Sequence, residues 1–306
     1  MFARKESILT IRMRQYDHET DYEAINDFLI ALYQADPPRN WLQPRWEYAH
    51  SHPMLDRENL GKIPIWEDDG QIVAAVLYED KVGANHVQLD PGYPRLKREV
   101  LDYAADSLIG DFRAGHGCYV HLDDSDSDLG VIAAELGFEP RPQHAEALSR
   151  FIVPEPFAAP QLPEGFRLQS LADEFDVTQV HRVMHRGFNH EGEPPADELE
   201  DRRRKVSVPG VRRDLTIVAV APDGSYVSFC GMWPVPGSTA CYVEPVATDP
   251  DYRRMGLAKA CVMESIRRCA AEGATIAYVG SDLAFYLSTG FEVCGGRTPW
   301  WRATRS

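Results

Sequence analysis

One short segment of the chain has the residue types and the spacing of an anion-binding helix start. Directly after the apolar run YVEPVAT comes DPDYRRMGLAKA, residues 249–260, which contains Arg253, Gly256 and Ala258. A glycine permits a backbone bend that a side chain would block, and a small residue lets a ligand approach the first helical turn closely. The first N–H groups of a helix are unpaired and attract anions. The segment therefore predicts a cradle for a pyrophosphate group, between a strand and a basic helix.

A second segment, ATIAYVGSDLAFYLSTGFEVCG, follows that helix. It predicts a strand over 275–279, a small helix that holds Tyr286, and then the pair Gly290-Phe291. A phenol has a reference pKa of about 10 and can donate a proton to a developing thiolate. Tyr286 is therefore either a general acid or a core aromatic beside Phe285. The cradle upstream favours the acid.

The two segments together resemble the acyl-CoA signature of the GNAT superfamily of N-acyltransferases. In that signature, glutamine or arginine is followed at fixed spacing by glycine and then by glycine or alanine, as in Arg253-x-x-Gly256-x-Ala258. The resemblance implies acetyl-CoA as co-substrate, no metal, and protonation of the departing CoA thiolate by Tyr286. The residues expected to bind CoA are Val246, Ala247, Thr248, Arg253, Arg254, Met255, Gly256, Leu257, Ala258 and Lys259. For Arg254 and Lys259, a solvated helix face is the alternative.

The strand before the cradle carries one carboxylate, Glu244. Positions 244, 246 and 248 of a strand share one face. If main-chain groups of Val246 and Thr248 hold the pantetheine arm, Glu244 points near the reactive end. It can then take a proton from the attacking ammonium, directly or through water. The alternative is a charge at a strand edge or bulge before Pro245, and both interpretations stay open.

The stretch NHEGEPPADELEDRRRK, residues 189–205, lies where the family builds one wall of its acceptor pocket. Glu191 and Glu193 are the candidates for binding a cationic amine, with solvated charges as the alternative. The basic run 202–205 is interpreted as a helix surface rather than a nucleic-acid patch. The aromatic-rich segment 40–53 has two interpretations. Packing in the core or at a domain interface is favoured, and lining an acceptor pocket is the alternative.

The two halves of the chain repeat each other. DPGYPR at 90–95 corresponds to DPDYRR at 249–254, ELGF corresponds to STGF, and a β-rich run precedes each arginine-containing segment. The same order of elements twice indicates two copies of one α/β module. The proline-rich stretch 153–165 suits an extended linker. We therefore predict two tandem GNAT-like domains, residues 1–152 and 166–306, each a splayed mixed β-sheet flanked by helices.

The first copy has lost the residues of both site segments. In the alignment of the two copies, Pro94 stands in place of Arg253, Lys97 in place of Gly256, Glu99 in place of Ala258, and Ala133 in place of Tyr286. A proline lacks the N–H group, a lysine adds bulk at the bend, and a glutamate adds negative charge where phosphate would lie. The first copy is therefore interpreted as a degenerate domain that is kept for structure or for shaping the acceptor pocket.

In the second copy, the periodicity predicts the elements that position the site. Strands are expected near 165–171, 215–221, 226–234, 239–248 and 275–279, helices near 173–187 and 256–271, and a last β segment at 290–302. One helix face should carry Val177, Val180, Val183 and Met184, and another should carry Val262, Ile266 and Cys269.

Composition and charge exclude several classes of function. The chain has 306 residues and a net charge of −15, of which residues 1–160 carry −13. An acidic surface disfavours nucleic acid and attracts cationic amines, or only keeps the protein in solution. No apolar run approaches the ~20 residues that span a bilayer, no signal-peptide core is visible, and the cysteines lack zinc spacing. We expect a reduced cytoplasmic protein with no membrane, metal or nucleic-acid partner.

The function predicted from the sequence is that of an N-acetyltransferase (EC 2.3.1.-). It would transfer an acetyl group from acetyl-CoA to a primary amine of a small molecule or a peptide by direct attack, with Tyr286 and Glu244 as catalytic residues. The rival is a non-catalytic protein that binds acyl-CoA or a partner. One copy retains both the cradle and Tyr286, which favours the enzyme.

Overall fold

The computed structural model describes residues 11–33, 37–112 and 115–304. The chain divides into two compact units, and each unit is built from separate segments of the sequence. Unit 1 comprises Met1–Leu42, Met54–Glu146 and Gly295–Ser306, and unit 2 comprises Gln43–Pro53 and Ala147–Cys294. None of the helices in the described ranges is long and apolar enough to cross a membrane.

Unit 1 is a mixed sheet with helices packed on it. Its strands are β1 (Arg12–Gln15), β2 (Pro64–Asp68), β3 (Gln71–Tyr78), β4 (Ala84–Leu89), β5 (Gly110–Phe112), β6 (Gly115–Asp123), β7 (Glu139–Pro140) and most of the last strand, β14 (Glu292–Ala303). Its helices are α1 (His18–Leu32), α3 (Lys97–Ser107) and α4 (Ser127–Glu135). The main strand order is β1-β2-β3-β4-β6-β14, in which β4 and β6 are parallel and the other neighbours are antiparallel.

Unit 2 repeats this arrangement. Its strands are β8 (Glu146–Ile152), β9 (Arg167–Ser170), β10 (Ile217–Val220), β11 (Tyr226–Pro234), β12 (Ala240–Thr248) and β13 (Ile276–Val279). Its helices are α2 (Gln43–Ser51), α5 (Val177–Gly187), α6 (Leu199–Lys205), α7 (Leu257–Ala271) and α8 (Ala284–Ser288). The strand order is β9-β10-β11-β12-β13-β8, and again one central pair, β12 and β13, is parallel. Two copies of one module are thus confirmed.

The units do not follow the boundary predicted at 153–165. Strand β8 precedes that stretch but pairs with β13 of unit 2, where Ile152 lies opposite Ile276. Strand β14 ends the chain but pairs with β6 of unit 1, where Trp300 lies opposite Val120. In each unit, the second strand of the parallel pair has an antiparallel neighbour on its other side, so that edge is not left unpaired. The strand that fills that edge comes from the other half of the sequence, which local patterns cannot reveal.

The helix faces of unit 2 agree with the predicted periodicity. The side chains predicted to face inward are buried, and they are Val177, Val180, Val183 and Met184 on α5 and Val262, Ile266 and Cys269 on α7. Helix α5 begins four positions later than expected because Asp176 caps it, accepting hydrogen bonds from the N–H groups of Thr178 and Gln179 at 2.9 and 3.1 Å.

Candidate active site

The sheet of unit 2 opens between β12 and β13. The two strands pair only from Ala240 opposite Ile276 to Tyr242 opposite Tyr278. Beyond Tyr242, as far as Thr248, this edge of β12 has no strand partner among the described residues. Main-chain groups on such an edge can pair with an extended ligand as if it were another strand. The predicted splay of the sheet is therefore confirmed.

A bulge in β12 positions Glu244 beside this opening. The register between β11 and β12 shifts between Cys230 and Met232. Gly231 fits there because a Cβ would overlap the carbonyl of Glu244 and approach Pro245 Cδ at 2.9 Å. The indole N–H of Trp233 donates to that carbonyl at 2.7 Å. The predicted bulge is therefore present. Bulges commonly re-aim a side chain next to an active site. The role of Glu244 as a base stays a prediction.

The cradle segment has the backbone that its sequence predicts. Gly256 is the N-cap residue of α7 and has φ +82°, a conformation that glycine adopts readily. Arg254, two residues earlier, also has a positive φ, +64°. The N–H groups of Leu257, Ala258 and Lys259 occupy the first helical turn, where no intrahelical carbonyl can accept from them. This geometry suits an anion, and the side chains of Arg254 and Lys259 are exposed beside it.

Arg253 braces the cradle from outside. Its guanidinium donates to the carbonyl of Thr248 at 3.2 Å and to the carbonyl of Gly187 at 2.8 Å. Gly187 ends α5 and must be small, because a Cβ there would lie 2.7 Å from the Cβ of Ala247. Arg253 therefore ties the end of α5 to the end of β12. Its contact with CoA stays a prediction.

A buried ion pair fixes the start of the cradle loop. Asp249 is fully buried, and both its carboxylate oxygens accept from Arg186, at 2.6 and 2.9 Å. The same carboxylate accepts from the N–H of Asp251 at 3.1 Å. Burial alone would raise the pKa of Asp249, but the hydrogen bonds and charge of Arg186 outweigh it and hold the pKa below its ordinary value. The pair therefore stabilises the loop.

Asp249→Asn should lower stability by about 1.5–3 kcal/mol, because it removes the charge that accepts two hydrogen bonds from Arg186 and leaves that guanidinium with the exposed Asp251 alone. Since the folded-state pKa of Asp249 is depressed, its stabilisation is present at neutral pH and is lost as pH falls through that pKa. Urea unfolding at pH 7 and at a series of acidic pH values measures both effects. The matched control is Asp214→Asn, which removes a half-exposed partner of Arg212 and should cost no more than about 1 kcal/mol. Equal losses at the two sites would contradict the role of Asp249.

Tyr286 lies in the core of unit 2 next to the open strand edge. It is 8% exposed, and its ring lies 4.9 and 5.7 Å from the rings of Phe285 and Phe291. Burial raises the pKa of its phenol well above the ordinary value, and the negative charge of Glu244 raises it further. The hydroxyl is therefore protonated at any working pH. The position suits both interpretations of the sequence, core packing and proton donation.

Cys230 lies near the same groups and is not an activated nucleophile. Burial raises the pKa of its thiol far above the ordinary value, and the charge of Glu244 acts in the same direction. A reactive cysteine needs the opposite shift, because the thiolate is the nucleophile. Nothing about Cys230 favours a covalent cysteine intermediate.

A small cavity of about 20 Å³ lies beside the bulge, and all the residues that line it belong to unit 2. Its lining includes Tyr48, Met184, Arg202, Lys205, Val206, Val211, Thr216, Phe229, Gly231, Met232, Trp233, Glu244 and Pro245. The run 202–205 lies on α6 as interpreted, with Arg203 and Arg204 exposed, while Arg202 and Lys205 are partly buried and line this cavity. A four-residue basic run on a seven-residue helix gives no sign of which side chain faces inward.

Two candidate substrate residues lie elsewhere. Glu191 and Glu193 are exposed and are not part of the pocket lining. Their contact with the acceptor stays a prediction.

Tyr48 and Trp233 line the pocket with their rings 6.1 Å apart, edge to face. The aromatic segment 40–53 thus includes one pocket residue. Trp233 lies on a strand, where an aromatic is ordinary core, so no sequence signal distinguishes it as a pocket residue.

In unit 1, the aligned positions serve the fold. Lys97 begins α3 and pairs with Asp126 at 2.6 Å and with Asp128 at 3.2 Å, both on or next to α4. The carboxylate of Glu99 accepts from the indole N–H of Trp66 at 2.8 Å. A side-chain ammonium and a carboxylate thus occupy the helix start that is open in unit 2. The predicted degeneracy of the first copy agrees with these contacts.

Unit 1 also brings together three potential metal ligands. One ligand atom each of His86, His121 and Glu146 lies within 4.8 Å of the other two. The histidines are buried on the parallel strands β4 and β6, directly opposite each other, and the Nδ1 atom of His121 lies 3.1 Å from Glu146. No sequence spacing reveals this group, because its members come from three separate strands. The expectation of no metal stays a prediction.

The comparisons with known proteins agree with this geometry. Residues 177–291 match the family model described as Acetyltransferase (GNAT) family. None of the curated proteins compared with the chain matches it in sequence. The likenesses to solved structures that follow lie below 25% identity and therefore show the fold alone.

Three solved structures illustrate that fold. A GCN5-related N-acetyltransferase from Sphaerobacter thermophilus is 16% identical, with a TM-score of 0.60 and coverage of 97% of this chain and 96% of that one. A tandem GNAT protein from the clavulanic acid biosynthesis pathway is 13% identical, with a TM-score of 0.64 and coverage of 97% and 100%. A glucosamine N-acetyltransferase region of a fungal β-N-acetylglucosaminidase is 15% identical, with a TM-score of 0.55 and coverage of 96% and 38%. The whole chain thus has the fold of tandem GNAT proteins.

Proposed function

We propose that this chain, whose residues 177–291 form a domain of the GNAT acetyltransferase family, transfers an acetyl group from acetyl-CoA to a primary amine. One observation carries the proposal. Within unit 2, an open strand edge, an anion-binding helix start and a protonated tyrosine lie at consecutive points of β12, α7 and α8. Acetyl-CoA is an extended thioester with a pyrophosphate towards one end, so its groups match this spatial order of strand edge, helix start and tyrosine.

In the proposed binding mode, the pantetheine arm pairs with the main chain of Val246 to Thr248. The pyrophosphate accepts from the N–H groups at the start of α7, with Arg254 and Lys259 beside it. Met255 is 39% exposed and packs on the ligand. The side chain of Arg253 holds the loop through the two carbonyls that it contacts. The thioester then lies beside the bulge at Glu244.

The proposed reaction is a direct attack. The amine nitrogen forms a bond to the thioester carbon, and the carbon–sulfur bond breaks. Glu244, directly or through a water molecule, takes the proton that the ammonium loses. The main-chain N–H near Val246 polarises the thioester carbonyl. Tyr286 donates its proton to the departing sulfur, so the products are an amide and CoA.

CoA should bind at one site per chain, in unit 2. Unit 1 lacks the glycine at its helix start, and Lys97 is already paired with two carboxylates. Isothermal titration calorimetry of CoA into the full chain measures the stoichiometry. Lys97→Gly should leave it at one, because Pro94 and Glu99 still oppose phosphate. A stoichiometry of two in the natural chain would contradict the proposed difference between the copies.

The alternative hypothesis is a non-catalytic protein that binds acyl-CoA or a partner. A turnover measurement distinguishes it from the enzyme. Release of the CoA thiol is followed on mixing the protein with acetyl-CoA and a panel of primary amines. Turnover of at least one amine supports the transferase. Binding of acetyl-CoA without release of thiol across the panel favours the rival.

The cellular location belongs to the same proposal. Five of the six cysteines, Cys118, Cys230, Cys241, Cys261 and Cys269, are buried and form no disulfide bond. Buried thiols of this kind are ordinary in a reducing compartment. We propose a cytoplasmic enzyme that acts on a small-molecule or peptide amine and requires no metal.

A further inference from the structure

The group of His86, His121 and Glu146 in unit 1 has no part in the transfer proposed for unit 2. Both histidine side chains are more than nine-tenths buried, and their rings meet edge to face with centroids 4.1 Å apart. Within the described ranges, no other three His, Cys, Asp or Glu side chains bring their ligand atoms together in this way. Buried histidines beside a carboxylate are typical of a metal site.

The sheet of unit 1 holds the two histidines in place. The pairing of β4 with β6 ends at His86 opposite His121, and directly opposite residues on neighbouring strands present their side chains to the same face. Glu146, the first residue of β8, brings its carboxylate to the same place. Ligands on strands are positioned more precisely than ligands on loops.

One nitrogen of His121 indicates what the group lacks. Its Nδ1 atom is buried and forms no hydrogen bond with the described residues. A carboxylate oxygen of Glu146 lies 3.1 Å away, so the two atoms are close without being aligned for a hydrogen bond. Two atoms that bind one tetrahedral ion at about 2.1 Å lie about 3.4 Å apart. An ion between them would therefore give the buried nitrogen its partner.

The donor set selects the kind of ion. Imidazole nitrogens suit zinc and other divalent transition metals, and two histidines with one carboxylate leave the fourth position of zinc to water. His121 also lines a cavity of about 100 Å³ in unit 1, which is large enough for several water molecules. The side chain of Glu146 is 33% exposed and leaves the ion a route from solvent.

We propose that unit 1 binds one zinc ion, or a divalent transition-metal ion of the same preference, through His86, His121 and Glu146. The ion joins β4, β6 and the start of β8. The three ligand atoms lie within 4.8 Å of one another, and small side-chain rotations bring them to the spacing that the ion requires. The proposal departs from the expectation of no metal, which rested on spacing along the sequence, and the transfer itself still uses none.

Zinc binding to the full chain gives the first test. The protein is treated with EDTA, dialysed and titrated with zinc sulfate in a calorimeter. One ion should bind per chain, and zinc should raise the melting temperature. Cobalt(II) in place of zinc should give visible absorption bands without a thiolate charge-transfer band, because the six cysteines are not ligands. Absence of stoichiometric zinc binding, or a thiolate band, would overturn the proposal.

Two variants test the ligands. His121→Ala and Glu146→Gln should each weaken zinc binding by about 100-fold or more, beyond the 10- to 100-fold typical of groups that only support a ligand. The matched control is His116→Ala, which removes the histidine of an exposed pair with Asp111 in the same unit. It should leave zinc affinity and the cobalt spectrum unchanged.

Glu146→Gln decides the case if His121→Ala does not fold, since it keeps the size of a partly exposed side chain and removes only the charge. In a metal site, zinc stabilises the natural chain and not this variant. In an ordinary ion pair between His121 and Glu146, the variant melts at a lower temperature by the same amount with and without zinc. That second pattern, or unchanged zinc affinity in Glu146→Gln, would contradict the proposed site.

Discussion

Replacing Gly256 with glutamate should abolish CoA binding. At φ +82° the backbone of Gly256 is in the left-handed region, where a residue with a Cβ is strained by about 1–2 kcal/mol. No atom lies within 4 Å of the position that a Cβ would take there, so the side chain has room and its charge decides the outcome. A carboxylate at the N-cap would take the position of the pyrophosphate and interact with the same N–H groups. Calorimetry should detect no binding at CoA concentrations that saturate the natural protein.

A matched variant separates the charge from the strain. Gly273 follows the other end of α7, has φ +100°, and likewise has open space within 4 Å of where its Cβ would lie. Gly273→Glu imposes similar backbone strain next to the same helix but should leave CoA affinity unchanged. Gly256→Ala adds strain without charge and should weaken binding only in part. If Gly256→Glu still binds CoA with natural affinity, the phosphates do not lie at the start of α7.

The sequence predicts the backbone of the cradle segment well because the necessary information is local. A positive φ at Gly256, a cap at the start of a helix and the buried face of that helix all follow from residues within two turns of one another. The strands and the main helices of the second copy follow from periodicity for the same reason. Tyr286 also lies where its segment predicts, on a short helix before Gly290-Phe291.

What the sequence does not predict depends on contacts between distant residues. The edges beside β6 and β13 are filled by β14 and β8, strands from opposite halves of the chain, and no local pattern encodes that exchange. Arg202 has the same composition around it as Arg203 and Arg204, yet only Arg202 lines a pocket. Arg186 carries no sequence signal of its role either, because its partner Asp249 is far away in sequence and a lone arginine on a helix is ordinarily solvated.

Replacing Tyr286 with phenylalanine should lower kcat by about 10²–10⁴-fold, the usual contribution of general acid catalysis. The variant keeps the ring that packs between Phe285 and Phe291, so the core of unit 2 loses no apolar contact. CoA affinity should barely change, since the phenol is not part of the cradle. Steady-state rates with saturating acetyl-CoA, together with the melting temperature, measure both sides of this expectation.

The direction of the pKa shift sharpens the test. Burial raises the pKa of Tyr286, so the phenol keeps its proton. Ionisation of Tyr286 should therefore not lower kcat between about pH 6 and pH 9. A raised pKa also makes the phenol a weaker acid, and its main effect is then a hydrogen bond that strengthens as negative charge develops on sulfur. The Phe variant should accordingly lose rate by a similar factor across that pH range.

A control identifies a purely structural outcome. The hydroxyl of Tyr226 is hydrogen-bonded to Gln169 and to the carbonyl of Glu174, both at 3.2 Å, in the same unit and away from the open strand edge. Tyr226→Phe should lower the melting temperature and leave kcat unchanged, which is the opposite pattern to that expected for Tyr286→Phe. If the two variants behave alike, Tyr286 is a core aromatic, and the sulfur leaves as a thiolate or takes its proton from water. A thiol with a reference pKa near about 8.5 is a fair leaving group, so the size of the kcat effect measures how much the phenol adds to that intrinsic reactivity.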